Sequence, residues 1–248
     1  MVSDDVEALV VGGMNLGEAD RIVYLLSDGF GRTRAVARGA RKSKKRFAGM
    51  LDPGCHVRLT RRGRQGSLAS ITDIELVRAP RHAREDLDRI ALLAYGCEIC
   101  ASLAAEEEPA PRQYGLLQTW LLLLEGAQTP GVSVRVALEA KALTFAGFTP
   151  ALVQCSRCGL PLEDPCVFDP ESGGGLHQRC GSGQVLRAEV LRTIEALRRT
   201  PMRDLVDNPV DVPTKEVWLM SNFIRYQLGR GLKSRALLED LAQMNPRR

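Results

Sequence analysis

Four side chains in the second half of this 248-residue chain have the types and spacing to hold a metal ion. Cys155-Ser156-Arg157-Cys158 is followed, after a long gap, by His177-Gln178-Arg179-Cys180. Thiolate sulfur and imidazole nitrogen are the ligands of tetrahedral zinc, and two residues between the members of each pair give a bite that one tight turn supplies. Gly159 and Gly181 directly follow the pairs, where such a turn brings backbone amides toward sulfur. Between the pairs lie Pro161, Pro165, Pro170 and the run Gly173 to Gly175. That composition cannot build its own core, so a bound ion gives the segment a reason to be ordered. With Cys155, Cys158, His177 and Cys180 all ligating, no coordination position stays open, and the zinc expected here is structural. Cys166 is the competing ligand, able to replace His177 in a four-cysteine set; the paired spacing favours His177.

A second chemistry is electrostatic. Residues 38–46 carry six cations (Arg38, Arg41, Lys42, Lys44, Lys45 and Arg46) and no acid. Such a run cannot enter a core, where each charge would lose water without a partner. It belongs to a wider patch, because twelve cations and one acid, Asp52, lie between Arg32 and Arg64, although the net charge of the whole chain is only +4. Charge segregated in this way is the footprint of a polyanion-binding surface. Arg32, Arg34 and Arg38 fall at i, i+2 and i+6, so one strand would show all three on one face. The candidate phosphate contacts are therefore Arg32, Arg34, Arg38, Arg41, Lys42, Lys44, Lys45 and Arg46, with Arg61, Arg62 and Arg64 nearby. Phe30 and Phe47 flank the patch and read equally as core plugs or as platforms for stacked bases.

Catalytic constellations are missing. His56, His82 and His177 are the only histidines, and none begins H-E-x-x-H or the H-x-E of zinc deaminases, since Arg58, Arg84 and Arg179 stand two residues on. Gly173 to Gly175 is not followed by the Lys-Ser/Thr of a phosphate loop, and no G-x-S-x-G occurs. Binding rather than catalysis is the expected function. Seven cysteines argue against a closed disulfide framework. Cys97 and Cys100 sit on one face of an apolar helical stretch and read as core, with a metal or redox pair as the alternative; Cys55 follows a Pro-Gly turn and reads as core or as a bystander. No apolar run approaches the roughly 20 residues of a membrane span, and the acidic start lacks the apolar region of a secretory signal, so the chain is expected in the cytoplasm.

Short alternating strands must position the cations. Val6–Val11, Arg21–Ser27, Thr33–Arg38, His56–Thr60 and Ser67–Val77 are separated by turn signals such as Asp28-Gly29-Phe30-Gly31 and Asp52-Pro53-Gly54. Five strands in this length predict a small antiparallel barrel, an OB-fold or, with a meandering order, an SH3-like barrel. From Pro80 onward the pattern is helical, over 81–106, 113–125, 133–145, 188–199, 214–228 and 234–244, with Glu106–Pro111 as a linker. The class is α+β: an N-terminal five-stranded OB barrel over 1–79, then an all-α domain over 80–248 with an inserted zinc-binding element over 152–184.

Three segments make the chain resemble the RecO family of bacterial recombination mediators in the RecF pathway. They are Gly17-Glu18-Ala19-Asp20-Arg21-Ile22-Val23 within Leu16–Leu26, the stretch from Gly29 through Arg41 to Gly49, and Cys155-x2-Cys158-Gly159 with Gly174-Gly175-Leu176 before the second pair. His177 stands where many members have a third cysteine, and some members lack the metal site. The resemblance implies binding of single- and double-stranded DNA, strand annealing, and action with RecR on DNA coated by single-strand-binding protein so that RecA is loaded. It further implies engagement of the acidic, apolar C-terminal tail of single-strand-binding protein by the helical region, with RecF and RecA as indirect partners, at the nucleoid. Arg225, Arg230, Lys233 and Arg235 are candidate contacts for that tail. The rival readings are a zinc-containing interaction adaptor and an RNA-binding OB protein.

Overall fold

A computed structural model describes residues 2–43, 46–63, 68–213 and 215–244. Alternation in the first 80 residues becomes five strands: β1 (Val2–Leu16), β2 (Asp20–Ser27), β3 (Gly31–Ala37), β4 (His56–Gly63) and β5 (Ala69–Arg78). Inward-facing Val6, Ala8, Val10, Val23, Leu25, Ala35, Ala37, Val57, Leu59 and Ile71 form its core, and those on β1 to β4 follow one another at two-residue intervals along each strand. The barrel closes in the order β1-β2-β3-β5-β4. β1 serves both halves: Val2–Leu9 pairs with β4, and Leu9–Leu16 pairs with β2 across a register shift between Val10 and Gly12. That bulge bends one long strand between two sheets. β3 meets β5 in parallel at Ala35/Ala69 and Val36/Ser70. A meander has no parallel contact, so this order selects the OB-fold over the SH3-like alternative. The β3–β4 connection turns Phe47, Leu51 and Cys55 into the barrel interior.

The helices are α1 (Leu87–Leu103), α2 (Pro111–Leu124), α3 (Val132–Phe145), α4 (Ala188–Arg199), α5 (Met202–Asp207), α6 (Leu219–Leu228) and α7 (Lys233–Met244). A three-stranded sheet of β6 (Cys166–Asp169), β7 (Gly174–His177) and β8 (Gln184–Leu186) has the order β7-β6-β8. The chain divides into two compact units, Met1–Ala127 with Leu232–Arg248, and Gln128–Gly231.

In the first unit α1 packs on α2 and α7. Trp120 is fully buried, donates from Nε1 to the Leu92 carbonyl at 2.9 Å, and fits because Gly96 has no Cβ to meet its ring. Buried Arg89 closes the α1–α2 pair by donating to the carbonyls of Leu124, Gly126 and Ala127. In the second unit α3 is enclosed on all sides and carries a buried Arg135–Glu139 pair, with the guanidinium 4.0 Å from the Trp218 ring centre. Phe168 of β6 meets Phe223 of α6 edge to face at 5.8 Å.

Four elements depart from the sequence pattern. The helix expected over 81–106 is a 3-10 turn at His82–Arg84 followed by α1, whose N-cap Asp86 accepts from the Arg89 amide. α6 starts at Leu219 rather than beside Pro213, because residues 215–218 form turns, with Glu216 N donating to the Pro213 carbonyl and Leu219 N to that of Glu216. α5 and the strands β6–β8 leave no signal in the sequence pattern, because each is too short to show a period. No described helix is long and apolar enough to cross a membrane.

Candidate nucleic-acid interface and metal centre

On β3, Gly31, Thr33, Ala35 and Ala37 share the inward parity, so Arg32 and Arg34 stand outward. Each donates from Nη2 to a separate oxygen of Glu106, both at 3.0 Å. Arg38 follows the end of β3 rather than extending its stripe, and its Nε donates to Ser70 Oγ at 3.3 Å. Arg62 lies in register with Ser70 on β4, so the two cations gather at one place on the barrel wall.

The basic connection is ordered at both of its described ends. Gly39 N donates to Asp20 Oδ1, Arg41 N to the Ala19 carbonyl, and Arg41 Nη1 to the Gly17 carbonyl at 2.6 Å, which pins the start of the loop to the β1–β2 turn. Arg46 donates to the Ile71 and Thr72 carbonyls of β5 and lies 5.0 Å from the Phe47 ring centre. A guanidinium has five donors, so both arginines keep N–H groups for a ligand while they hold the loop. Lys42 is exposed between them. Lys44, Lys45 and Arg64 lie outside the described residues.

Arg61 stands apart from the other sequence candidates. It shares strand parity with Val57 and Leu59, is only 7% exposed, and lies 4.0 Å from the Phe30 ring centre. Its Nη1 donates to Thr33 Oγ1 at 2.8 Å and contacts Glu107 Oε2 at 3.4 Å, while the Thr33 hydroxyl donates to Glu107 Oε1. Phe30 packs against the barrel core and Phe47 is buried within it, so both act as plugs.

An aromatic that composition did not single out lies on the cationic face. Tyr24 stands directly opposite Arg34 in the β2–β3 register, half-buried, with its ring against Gly12 of β1, where a Cβ would lie 3.3 Å from the ring. Parity held the signal: Val23 and Leu25 point in, so Ile22 and Tyr24 point out.

The cysteine cluster assembles as its spacing predicts. The metal-binding atoms of Cys155, Cys158, His177 and Cys180 all lie within 4.8 Å of one another. The first pair sits on a turn where Gly159, at φ +74°, donates its amide to the Cys155 carbonyl at 2.9 Å and Cys155 N donates to the Leu160 carbonyl. His177 ends β7, and Cys180 N closes the second turn on the His177 carbonyl. The His177 ring has one nitrogen, Nε2, at 2.9 Å from the Pro161 carbonyl. A carbonyl only accepts, so that nitrogen carries the proton and Nδ1 presents its lone pair to the sulfurs. The Sγ atoms of Cys158 and Cys180 lie 3.4 and 3.9 Å from Nδ1, close to the edge of about 3.5 Å that a zinc tetrahedron gives sulfur and nitrogen. Burial raises the Cys155 thiol, yet the backbone amides of Cys158, His177 and Arg157 outweigh it and hold it at about 6, in thiolate territory. The donor set therefore fits a tetrahedral, thiolate-preferring cation.

Cys166 is not part of this cluster. It is fully buried in β6, its Sγ turned to the Leu186 carbonyl at 3.5 Å, and burial pushes its thiol up. Cys97 and Cys100 are buried in α1, where desolvation pushes Cys97 up to about 12 and raises Cys100 as well, as suits core packing.

Known proteins match most of the chain. Residues 1–80 match the family described as Recombination protein O N terminal, and residues 84–236 match Recombination protein O C terminal. The chain is 36% identical over 238 residues to the DNA repair protein RecO of Myxococcus xanthus, covering 93% of this chain and 94% of that protein. It is 32% identical over 244 residues to the DNA repair protein RecO of Anaeromyxobacter dehalogenans strain 2CP-C, covering 95% and 96%. With the protein of that name from Symbiobacterium thermophilum it shares 34% identity over 248 residues, covering 96% and 97%.

Proposed function

Because the chain belongs to the RecO family of DNA repair and recombination proteins, we propose that it is a recombination mediator that holds DNA through the phosphates on its barrel. The observation that carries this reading is where the basic segment falls in the fold. Arg32 and Arg34 lie on the outward face of β3 beside Tyr24 of β2, and the cation-rich β3–β4 connection leads off from the same strand. Strands 2 and 3 of an OB barrel form the face that takes oligonucleotides. Phosphates supply the affinity, so binding is independent of sequence, as a protein acting anywhere on a chromosome requires.

On this reading the protein binds single- and double-stranded DNA in the cytoplasm and, with RecR, remodels DNA coated by single-strand-binding protein, annealing strands or opening the way for RecA, with RecF acting indirectly. The division of labour would place DNA on the barrel domain, 1–79, and protein partners on the helical domain, 80–248. A groove of about 740 Å³ in the second unit joins Arg225 and Arg230 to Phe168, Leu219 and Tyr226, chemistry that suits the acidic, apolar tail of single-strand-binding protein. Lys233 and Arg235 are weaker candidates for that tail, since Arg235 is paired with Glu239 at 2.7 Å. The metal of the cysteine cluster would be zinc, held by Cys155, Cys158, His177 and Cys180, supplying a cross-link rather than a reactive water.

Annealing of complementary strands coated with single-strand-binding protein tests the reading. Acceleration by the purified chain supports it; no acceleration with or without RecR would refute it. Competition between DNA and structured RNA separates it from an RNA-binding role, which would be favoured if RNA won.

A further inference from the structure

Building on the nucleic-acid reading above, we propose that Arg32 and Arg34 form a phosphate subsite that Glu106 fills in cis, and that single-stranded nucleic acid binds there by displacing this carboxylate. Glu106 bridges the two guanidinium groups with one oxygen each, both at 3.0 Å. Two acceptor oxygens on one central atom, shared between two arginines, is also what a phosphodiester presents. The side chains of Arg32, Arg34 and Glu106 are 37%, 58% and 44% exposed, so a ligand in solvent reaches all three.

The backbone that delivers Glu106 is fixed, while its side chain is free to leave. Arg32 N donates to the Ala105 carbonyl at 2.8 Å, Glu107 N to the Arg32 carbonyl at 3.0 Å, and Ala110 N to the Asp28 carbonyl at 2.8 Å. Gly31 must be glycine at this crossing: its φ is +56°, and a Cβ there would lie 2.2 Å from the Glu108 carbonyl oxygen and 2.5 Å from that of Ala105. Glu107 is held at φ +56°, a left-handed conformation that a non-glycine residue keeps only when its surroundings impose it. Its carboxylate is the anchor, accepting from Thr33 and lying against buried Arg61. The carboxylate of Glu106, next in the chain, meets two exposed arginines among the described residues. Exchange therefore needs one side chain to rotate and no strand to unpair.

Tyr24 indicates what takes its place. The ring stands opposite Arg34 in the strand register, and an aromatic face beside a phosphate-binding cation is the pairing that seats one nucleotide, base on ring and phosphate on arginine. Exposed ion pairs are weak one at a time, so Glu106 lowers affinity without closing the site.

The test titrates dye-labelled oligothymidylate into the full chain. Glu106→Gln should bind about threefold to tenfold tighter at low salt, given two modest pairs to break, and the gain should shrink as salt rises. Glu106→Asp, which keeps the charge but shortens the reach, should also gain affinity; it covers the case in which the neutral variant folds poorly. Glu108→Gln, with the same charge change beside the subsite, should match wild type. Joint Arg32→Ala/Arg34→Ala should weaken binding and abolish the Glu106→Gln gain. The proposal is overturned if neither Glu106 variant gains, if Glu108→Gln gains equally, or if the gain survives without the two arginines. If neither Glu106 variant gains while the arginine pair still matters, the cis-carboxylate idea alone falls. If losing the arginines changes nothing, the nucleic-acid reading fails at this face as well.

Discussion

The cysteine element and the cationic barrel face differ in how far apart their determinants lie along the chain. In the cysteine cluster each pair of candidate ligands sits within one tight turn, and the residue that orients His177, Pro161, lies only 16 positions away. On the barrel, what decides the role of an arginine comes from distant sequence: Glu106 reaches Arg32 and Arg34 across 74 and 72 residues, and Glu107 reaches Arg61 across 46. Short-range geometry is written in spacing. Long-range neutralisation is not, and it separates arginines that composition makes equivalent.

Loss of the proposed metal should give the largest effect. Structural zinc contributes on the order of 10 kcal/mol to the folding of small zinc domains; here Val167, Phe168 and Leu176 of the same segment are buried as well and would retain part of its order. Elemental analysis of the purified wild-type protein should find zinc, and joint Cys155→Ala/Cys158→Ala should abolish it and lower the melting temperature. DNA binding at the barrel should persist. Wild-type protein prepared without chelator and found free of metal would contradict the assignment.

Arg61→Ala comes next, and it sharpens the division among the arginines. A buried guanidinium stacked on Phe30 and bonded to Thr33 holds the barrel end, so its loss should cost about 2 kcal/mol in urea unfolding. The affinity of the folded fraction for oligothymidylate should stay near wild type. A selective loss of affinity at unchanged stability would erase the distinction drawn here.

The basic connection should do the opposite. Replacing Lys42, Lys44, Lys45 and Arg46 together by Ala should reduce single-stranded DNA affinity at low salt by about tenfold or more and flatten the salt dependence by roughly 0.7 per lost phosphate contact. Because Arg46 also bonds the Ile71 and Thr72 carbonyls, a small drop in melting temperature should accompany it. Unchanged affinity would remove the connection from the interface.

Tyr24→Leu should have the smallest effect, a loss of about fivefold, near the lower end of what one base stack contributes. Tyr24→Phe should restore binding, since stacking uses the ring and not the hydroxyl. An abasic oligonucleotide of equal charge should not distinguish the three proteins.

Much of this organisation is legible in the residues themselves. Strand alternation gives the barrel and the paired spacing gives the four side chains that cluster; Gly229, at φ +64°, ends α6 where the pattern stops it. Parity also places Arg61 inside with Val57 and Leu59, and Tyr24 outside with Ile22, a signal that composition and charge do not carry. The linker Glu106–Pro111 is different. It reads simply as a connection because nothing local says that its acids lie along β3; the closed barrel supplies that contact.

The most direct measurement is the affinity of the intact chain for oligothymidylate over a range of salt concentrations. Phosphate contact by a row of barrel cations predicts a straight, steep fall of log affinity against log salt, with a slope of about −0.7 for each contact. A slope near zero, or no binding at low salt, would contradict the assignment of this face to nucleic acid.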